Sequence, residues 1–266
     1  MNIVVCIKQV IDPEIPAEQF RLDPATKRQI RGGLSLVVSA YDQNALEVAL
    51  QLRERGGGTV TALCLGERGA MGAVKTALGM SVDAGVLVSD PALPESEAFG
   101  VAHVLARAVQ KLGAVDLVLT GCVSGDTGRK VMAPLLAEEL GWGCVTFATR
   151  VQVQEGRAMV RRIVDDGYEA VEGPLPLVLS ILSDDTNVPR YSKLKDIMSA
   201  AKKQVPTWTA ADLSVDPSRV GAAAARLNLR DMEIPHRESR CELVDGESPR
   251  EQGVRLAERL RARKVI

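Results

Sequence analysis

Short apolar runs alternate with amphipathic segments through residues 1–140, and this alternation restricts the fold more than any other feature of the chain. The apolar runs occupy residues 3–7, 60–65, 85–88 and 117–119. Helical periodicity follows Ser39 and returns at residues 70–78, 98–112 and 131–140. Strands that alternate with helix-length segments form parallel sheets, because each helix carries the chain back to the end where the next strand begins. The sequence therefore predicts an α/β fold with an open, mostly parallel sheet and crossover helices.

The pattern changes after Gly141. Strand-like runs are joined by tight turns at Glu155 and Gly156 and again at residues 165–167. Such turns connect neighbouring antiparallel strands, so we expect a hairpin excursion at about residues 143–172. A last core strand is expected at residues 176–182, which places the α/β domain at residues 1–185.

The rest of the chain has little periodicity until a final helix. Residues 186–204 join a polar loop to a short helix, and residues 205–242 have the pattern of an extended segment. Ser248 as an N-cap, with Pro249 at the first helical position, predicts a helix that runs through Arg263. Residues 205–266 therefore form an extended C-terminal arm, which either wraps a partner or lies over its own domain.

Composition limits the classes of partner. The chain has 266 residues, with 33 basic and 34 acidic side chains, so no general attraction to nucleic acid or to an anionic membrane is expected. The apolar run that precedes Lys8 is too short for a signal peptide or for insertion into a membrane. Five scattered cysteines without a CxxC pair indicate reduced thiols in the cytoplasm, and two histidines offer no zinc spacing.

The sequence contains no familiar catalytic motif. GxGxxG, Walker A, GxSxG and HExxH patterns are all missing. His103 lies inside an apolar helical segment and His236 lies in the irregular arm, so both are expected to be structural. The acid pairs Asp165 with Asp166 and Asp184 with Asp185 flank turns, where aspartate supports backbone geometry. We therefore predict no catalytic residue and no metal centre.

Residues 115–140 join a buried-type strand, a loop of small residues and an amphipathic helix. The start of a helix presents unpaired N–H groups and the positive end of the helix dipole, which together suit a phosphate. The candidate phosphate loop consists of Ser124, Gly125, Asp126, Thr127 and Gly128. Ordinary turn chemistry is the alternative explanation for these small residues.

Charged residues in this loop have alternative roles. Asp126 would repel a phosphate, so we expect it to cap the helix, with a hydroxyl or a cation as its other candidate partners. Arg129 and Lys130 either add positive charge for a phosphate or flavin diphosphate, or form a solvated pair. Loops at residues 8–13 and 66–69 also follow predicted parallel strands, and residues 39–42 begin a helix. Because the carboxyl ends of parallel strands share one edge, a nucleotide site is predicted there, with ordinary connections as the alternative.

Six blocks of sequence resemble the β subunit of electron transfer flavoproteins over essentially the whole chain. They are, in order, VVCIKQVID, VSAYDQNALEVALQL, TVTALCLG, TGCVSGDTGRKVMAPLLAEELG, PLPLVLSILSDDTNVPRYSKLKDIMSAAKK and GESPREQGVRLAERLRARKVI. Each block alone is only modest evidence for the family, whereas the order and spacing of all six are specific to it. YDQNALE and AAKKQVPTWTAADL look most like the branch associated with nitrogen fixation and carnitine metabolism.

The resemblance implies an electron carrier rather than an enzyme, on a Rossmann-like fold that binds an adenine nucleotide. It implies a heterodimer in which an α subunit shares the redox-active FAD and contacts the C-terminal arm. The β subunit would hold AMP or, in electron-bifurcating members, a second FAD. Electrons would come from a flavin dehydrogenase such as an acyl-CoA dehydrogenase and pass to a quinone reductase or a ferredoxin.

The resemblance also assigns positions. Nucleotide-contacting positions match Cys6, Ser39, Ala40, Tyr41, Asp42, Leu65, Ser124, Gly125, Asp126, Thr127, Gly128, Arg129, Lys130 and Val131, with Tyr41 nearest a flavin ring. Many bifurcating members read DGDTAQVGP, whereas alignment on Pro134 sets DTGRKVMAP here. This departure at Gly128, Arg129 and Val131 leaves AMP and a second FAD as alternatives.

Residues 186–204 match the segment that docks the dehydrogenase in this family. The matching side chains are Arg190, Tyr191, Leu194, Ile197 and Met198, with Leu194 as the anchor. A surface leucine that covers its own helix is the alternative. Two other functions fit the same fold: a stand-alone adenine-nucleotide sensor like the universal stress proteins, and an adenylyl-transferring enzyme. The long arm argues against the sensor, and the missing catalytic constellation argues against the enzyme.

Overall fold

The computed structural model describes residues 1–26, 28–93, 96–227, 229–235 and 241–266. His236 lies outside the described residues, so its structural role stays a prediction. Contacts divide the chain into two compact units, residues 1–230 and residues 231–266. Each unit is described by itself below.

The described residues form thirteen strands and six α-helices. The strands are β1 Asn2–Ile7, β2 Gln9–Ile11, β3 Leu22–Asp23, β4 Arg28–Gln29, β5 Leu36–Val38, β6 Thr59–Leu65, β7 Ala84–Val88, β8 Leu117–Gly121, β9 Gly143–Gln154, β10 Arg157–Val164, β11 Gly167–Pro174, β12 Leu177–Ile181 and β13 Thr207–Trp208. The helices are α1 Ala40–Gly56, α2 Met71–Gly79, α3 Ala98–Leu112, α4 Met132–Leu140, α5 Leu194–Lys202 and α6 Pro249–Ala262. In the described part of the chain, no helix has both the length and the apolar character that crossing a membrane requires.

Nine strands form one sheet in the order β11-β10-β9-β12-β8-β1-β6-β7-β13. The seven strands from β9 to β13 in this order pair in parallel. β10 pairs antiparallel with β9 on one side and with β11 on the other. The chain runs outward on one side of β1 through β6 and β7, and on the other side through β8 and β12. The strand order therefore reverses between β1 and β8, which is where open parallel sheets leave a crevice. The predicted mostly parallel α/β fold with a hairpin excursion is confirmed.

Helices cover both faces of this sheet. Alternate residues of β1 enter two separate cores, because successive side chains of a strand point to opposite faces. Ile3, Val5 and Ile7 join the core beneath α1 and α2. Val4 and Cys6 join the core beneath α3 and α4. Burial on both faces explains why the parallel strands read as continuous apolar runs rather than as an alternating pattern.

Residues 207–220 belong to the first unit and complete its core. β13 extends the sheet by pairing in parallel with β7. Leu213, Val215 and Val220 are buried in the core beneath α3. The C-terminal segment was expected either to wrap a partner or to lie over its own domain, and residues 207–220 lie over their own domain. The division between the two units comes later, after Arg230.

The second unit, residues 231–266, contains α6 and the segment that leads into it. Ser248 Oγ accepts a hydrogen bond from Glu251 N at 3.3 Å, and Glu251 Oε2 accepts one from Glu247 N at 2.9 Å. This capping box, with Pro249 at the first helical position, confirms the predicted start of the helix. None of the described residues of this unit is buried, although it carries Leu243, Val254 and other apolar side chains.

Candidate functional site

Asp42 joins the ends of the two strands that flank the crevice. Its Oδ2 accepts a hydrogen bond from Lys8 N at 2.8 Å, and its Oδ1 accepts one from Gly121 N at 3.0 Å. Lys8 follows β1, Gly121 ends β8, and Asp42 lies in the first turn of α1. Because both carboxylate oxygens are bonded to backbone N–H groups, Asp42 acts as a clamp on the base of the site. Sequence patterns placed this residue near the site and missed the clamp.

The clamp needs a glycine at position 121. A Cβ atom there would lie 2.5 Å from Asp42 Oδ1 and 2.9 Å from Asp42 N, distances that real Cβ atoms do not reach. The same glycine lets α1 approach the end of β8, since its Cβ would lie 2.8 Å from Tyr41 Cβ. Gly121 therefore determines how closely the start of α1 packs against the crevice.

Burial raises the pKa of Asp42 to about 7, against the opposing effect of the hydrogen bonds from Lys8 N and Gly121 N. The Asp42 side chain is therefore a buried acid whose ionisation is costly. This property follows from its position beneath the crevice.

Residues 122–131 form a ten-residue turn between β8 and α4. Gly128 N donates to Ser124 O at 3.1 Å, and the hydroxyls of Ser124 and Thr127 lie 3.0 Å apart. Gly128 and Lys130 have φ angles of +62° and +58°, in the left-handed region. Gly125 N donates to Ser39 Oγ at 3.3 Å, which ties the turn to the start of α1.

Asp126 pairs with Lys8 and does not cap a helix. Its Oδ2 lies 2.6 Å from Lys8 Nζ, and its Oδ1 accepts a hydrogen bond from Thr127 N at 2.8 Å. The predicted helix cap is wrong because the turn continues to Val131, the N-cap residue of α4. Burial opposes ionisation of Asp126, but the hydrogen bond and charge of Lys8 outweigh it and lower the pKa of this carboxyl.

The donors at the crevice fit a phosphate. Within the described residues, no side chain caps the first turn of α1 or of α4, so backbone N–H groups remain at both helix starts. Ser39 occupies the N-cap position of α1, and its side chain bonds the turn instead of its own helix. Arg129 and Lys130 are exposed and add positive charge beside these groups.

The structure brings most of the predicted nucleotide-binding positions to this crevice. Ser39, Ala40, Tyr41 and Asp42 begin α1, while the eight residues from Ser124 to Val131 form the turn opposite. Leu65 ends β6, the strand beside β1. Cys6 is buried in β1, and burial raises the pKa of its thiol, so it is a packing residue rather than a reactive one.

Arg190 is held by two glutamates of the same chain. Its Nε lies 2.8 Å from Glu47 Oε2, and its Nη1 lies 2.5 Å from Glu54 Oε1, with both acids on α1. Burial opposes ionisation of Glu47, but hydrogen bonds from Arg190 and Gln51 outweigh it and lower the Glu47 pKa. Arg190 therefore anchors the loop before α5 to α1.

Asn187 anchors the same loop and was not identified from the sequence. Its buried side chain donates to Leu182 O at 2.9 Å and to Thr149 O at 3.3 Å. It accepts hydrogen bonds from Asp184 N at 2.9 Å and Asn44 Nδ2 at 3.1 Å. Every hydrogen-bonding atom of this amide is used, so the loop leaves the sheet in one fixed direction.

A set of exposed apolar side chains, the α5 patch, lies on this anchored loop and on the helix that follows it. It consists of Val188, Tyr191, Leu194, Ile197 and Met198. Tyr191 is 98% exposed and Leu194 is 73% exposed. Lys75 Nζ donates to Ala200 O at 2.9 Å and Ala201 O at 3.2 Å, which holds the C-terminal end of α5. Leu194 therefore does not cover its own helix, and Val188 joins the four predicted apolar residues.

Arg190→Met should lower the free energy of unfolding by about 1–3 kcal/mol, because buried Glu47 loses its charged partner. The measurement is urea unfolding of the variant and of the unchanged protein. Arg157→Met is the matched control, since the Arg157–Glu172 pair is exposed on both sides and is expected to contribute about 0–1 kcal/mol. Equal losses in the two variants would show that Arg190 is not an anchor.

His103 is a structural residue. Its Nδ1 lies 3.0 Å from Glu139 Oε2, which links α3 to α4, and Arg219 pairs with the same glutamate. Its Nε2 is buried and has no hydrogen-bond partner among the described residues. Asp184 supports a turn, as predicted, since its Oδ1 accepts hydrogen bonds from Thr186 N at 2.9 Å and Thr186 Oγ1 at 2.8 Å. Across the described ranges, no three His, Cys, Asp or Glu side chains are grouped so that they could hold a metal ion.

Comparison with known proteins agrees with this geometry. A family model described as the electron transfer flavoprotein domain matches residues 30–213. The chain is 35% identical to the electron transfer flavoprotein subunit beta of Thermoanaerobacterium thermosaccharolyticum, with all of both chains covered. It is 29% identical to the caffeyl-CoA reductase-Etf complex subunit CarD of Acetobacterium woodii, again over all of both chains. It is 34% identical to Protein FixA of Azorhizobium caulinodans, over 81% of this chain and 78% of that protein. The chain therefore belongs to the electron transfer flavoprotein family, among relatives of its β subunits.

Proposed function

We propose that this chain pairs with an electron transfer flavoprotein α subunit and carries electrons from a flavin dehydrogenase, such as an acyl-CoA dehydrogenase, to a quinone reductase or a ferredoxin. The FAD shared with the α subunit supplies the electron chemistry. Residues 231–266 support the pairing, because their described part exposes apolar side chains and buries none. A segment without a core of its own gains stability by packing against a partner.

The crevice between β1 and β8 is the observation that carries this proposal. The start of α1, the 122–131 turn that leads into α4 and the ends of β1 and β8 meet there. We assign an adenine nucleotide to it, with its phosphate near the N–H groups of the turn and of α1. Ser39 and Tyr41 lie beside this position, and Asp42 joins the ends of β1 and β8 at the base of the crevice.

AMP is the first candidate for this nucleotide and a second FAD is the alternative. The glycine, arginine and valine at positions 128, 129 and 131 support AMP, because they depart from the DGDTAQVGP pattern of many bifurcating members. The exposed cations Arg129 and Lys130 suit either nucleotide, because the phosphate monoester of AMP and the diphosphate diester of FAD each carry about two negative charges at neutral pH. A second FAD would make electron bifurcation a further function of the heterodimer.

We assign the α5 patch to docking of the dehydrogenase. Leu194 begins α5 and Tyr191 lies in the loop before it. Arg190 ties this loop to α1 and Lys75 holds the C-terminal end of α5, so little order has to be gained on binding. An exposed apolar cluster on a rigid support is typical of a protein interface.

Two other functions are not favoured. A stand-alone sensor of the universal-stress-protein type would have no use for an arm without a buried core. An adenylyl-transferring enzyme needs reactive groups at the phosphate, whereas Asp126 and Lys8 neutralise each other and Asp42 is bonded to backbone N–H groups. The family match to electron transfer subunits agrees with both exclusions.

Co-expression tests the proposal. With its α subunit, the chain should purify as a yellow heterodimer that a flavin dehydrogenase reduces, and alone it should be colourless or unstable. The readouts are copurification and the bleaching of flavin absorbance on addition of dehydrogenase and substrate. A stable monomer that ignores the α subunit would contradict the proposal.

A further inference from the structure

We propose that Lys8 and Asp126 form a latch that positions the 122–131 turn against the phosphate of the bound nucleotide. This inference rests on the proposed nucleotide site. Both are positioning residues: Lys8 contacts Asp126 and Asp42, and Asp126 contacts Lys8, the Ser124 side chain and Thr127 N. The latch connects β1 to the turn across the point where the strand order reverses.

Lys8 is fixed at both ends. Its backbone N–H donates to Asp42 Oδ2 at 2.8 Å, and its ammonium lies 2.6 Å from Asp126 Oδ2. The side chain of Asp126 is largely buried, so its ion pair with Lys8 is less screened than a pair on an open surface. Lys8 therefore holds the middle of the turn at a fixed position relative to the end of β1.

Other hydrogen bonds hold the turn internally and at its start: Gly128 N donates to Ser124 O at 3.1 Å, and Cys122 N donates to Ile181 O at 2.8 Å. In the middle of the turn, Gly125 N donates to Ser39 Oγ at the start of α1 at 3.3 Å, next to Asp126 in sequence. Two of its residues, Gly128 and Lys130, have positive φ angles, and a lysine in that region is costly unless its surroundings hold it there. Without the ion pair, the turn would populate other conformations, and nucleotide binding would have to select the correct one.

The direction in which Asp126→Asn changes the affinity for AMP distinguishes the latch from simple electrostatic repulsion. A carboxylate close to a phosphate repels it, so Asp126→Asn should tighten AMP binding if Asp126 is only a nearby charge. If Asp126 is part of the latch, the same substitution should weaken AMP binding, because the Lys8 contact is lost. The two explanations predict opposite changes in one dissociation constant.

The test compares AMP with adenosine on the nucleotide-depleted heterodimer by calorimetry. Lys8→Met and Asp126→Asn should each weaken AMP binding about tenfold and leave adenosine binding within about twofold, because only the phosphate side depends on the turn. The double variant should be no weaker than either single variant, as expected for two residues that act through one contact. Lys8→Arg, which can still pair with Asp126, should restore AMP binding. Arg157→Met, which removes an ion pair on the β10–β11 hairpin, should bind as the unchanged protein does.

Several outcomes would overturn the latch. Tighter AMP binding by Asp126→Asn would show that Asp126 acts only as a negative charge near the phosphate and does not position the turn. Weaker binding by Lys8→Met alone, with Asp126→Asn unchanged, would mean that Lys8 contacts the phosphate directly. Equal losses for AMP and adenosine would indicate general structural damage, which unfolding midpoints would also reveal. Failure of the unchanged heterodimer to bind either ligand would contradict the proposed nucleotide site itself, a result distinct from failure of the latch.

Discussion

Leu194→Ala should slow reduction of the heterodimer by its dehydrogenase about 30-fold or more at subsaturating dehydrogenase, while flavin content stays unchanged. Leu194 is 73% exposed in the α5 patch, and burying a leucine side chain at an interface contributes about 1.5–3 kcal/mol. The crevice between β1 and β8 is built from other elements, so the nucleotide should remain bound. Stopped-flow absorbance measures the rate, and the flavin spectrum measures the content.

Tyr168→Ala is the matched control for this prediction. Tyr168 is 67% exposed, close to the exposure of Leu194, but it lies on the hairpin strand β11. Its loss should leave the rate of reduction unchanged. If the two variants are slowed equally, or if Leu194→Ala loses flavin, the α5 patch is not the docking surface.

Asp42→Ala should lower the free energy of unfolding of the heterodimer by about 2–5 kcal/mol. The substitution leaves the N–H groups of Lys8 and Gly121 without their acceptor in the interior, and each unsatisfied group costs about 1–3 kcal/mol. Asp42→Asn should lose about half as much, because its amide keeps one accepting oxygen and turns an NH₂ towards the other donor. Urea unfolding at fixed protein concentration gives both values.

The pH dependence of the same comparison tests the clamp. Burial raises the pKa of Asp42 from 3.8 to about 7, so between these values the folded state binds more protons at this site than the unfolded chain does. The contribution of Asp42 to stability therefore falls as pH rises from about 4 to about 7, and it is constant outside that window. The stability advantage of the unchanged protein over Asp42→Asn should shrink across this range. An advantage that grows with pH would show that the carboxyl is not desolvated.

The sheet could be predicted because its signals are local. Each parallel strand is an apolar run followed by a helix start, and the turns at Glu155 and Gly156 mark the hairpin within a few residues. The position of the crevice followed from the same signals, because the carboxyl ends of parallel strands share an edge. The capping box of Ser248 and Glu251 could also be predicted, because its two residues are only three positions apart in the sequence.

Partners that are distant in sequence could not be predicted. Asp126 has the sequence context of a helix cap, and its pairing with Lys8 depends on β1 and β8 becoming neighbours. Arg190 has the context of a surface cation in a polar loop, yet α1 places Glu47 and Glu54 beside it. The clamp by Asp42 likewise requires Gly121 to admit α1 at the end of β8. Single-sequence patterns carry no information on which distant side chains meet, so they predicted the crevice and missed the bonds within it.

Counting the nucleotides bound to each heterodimer tests the central claim most directly. Acid release followed by chromatography should yield two adenine nucleotides for each pair of subunits, one of them the FAD shared with the α subunit. The other is assigned to the crevice between β1 and β8, as AMP or as a second FAD, and Gly121→Val, which would press on Asp42, should remove only that one. A single FAD with no second nucleotide in the unchanged heterodimer would contradict the assignment of this crevice.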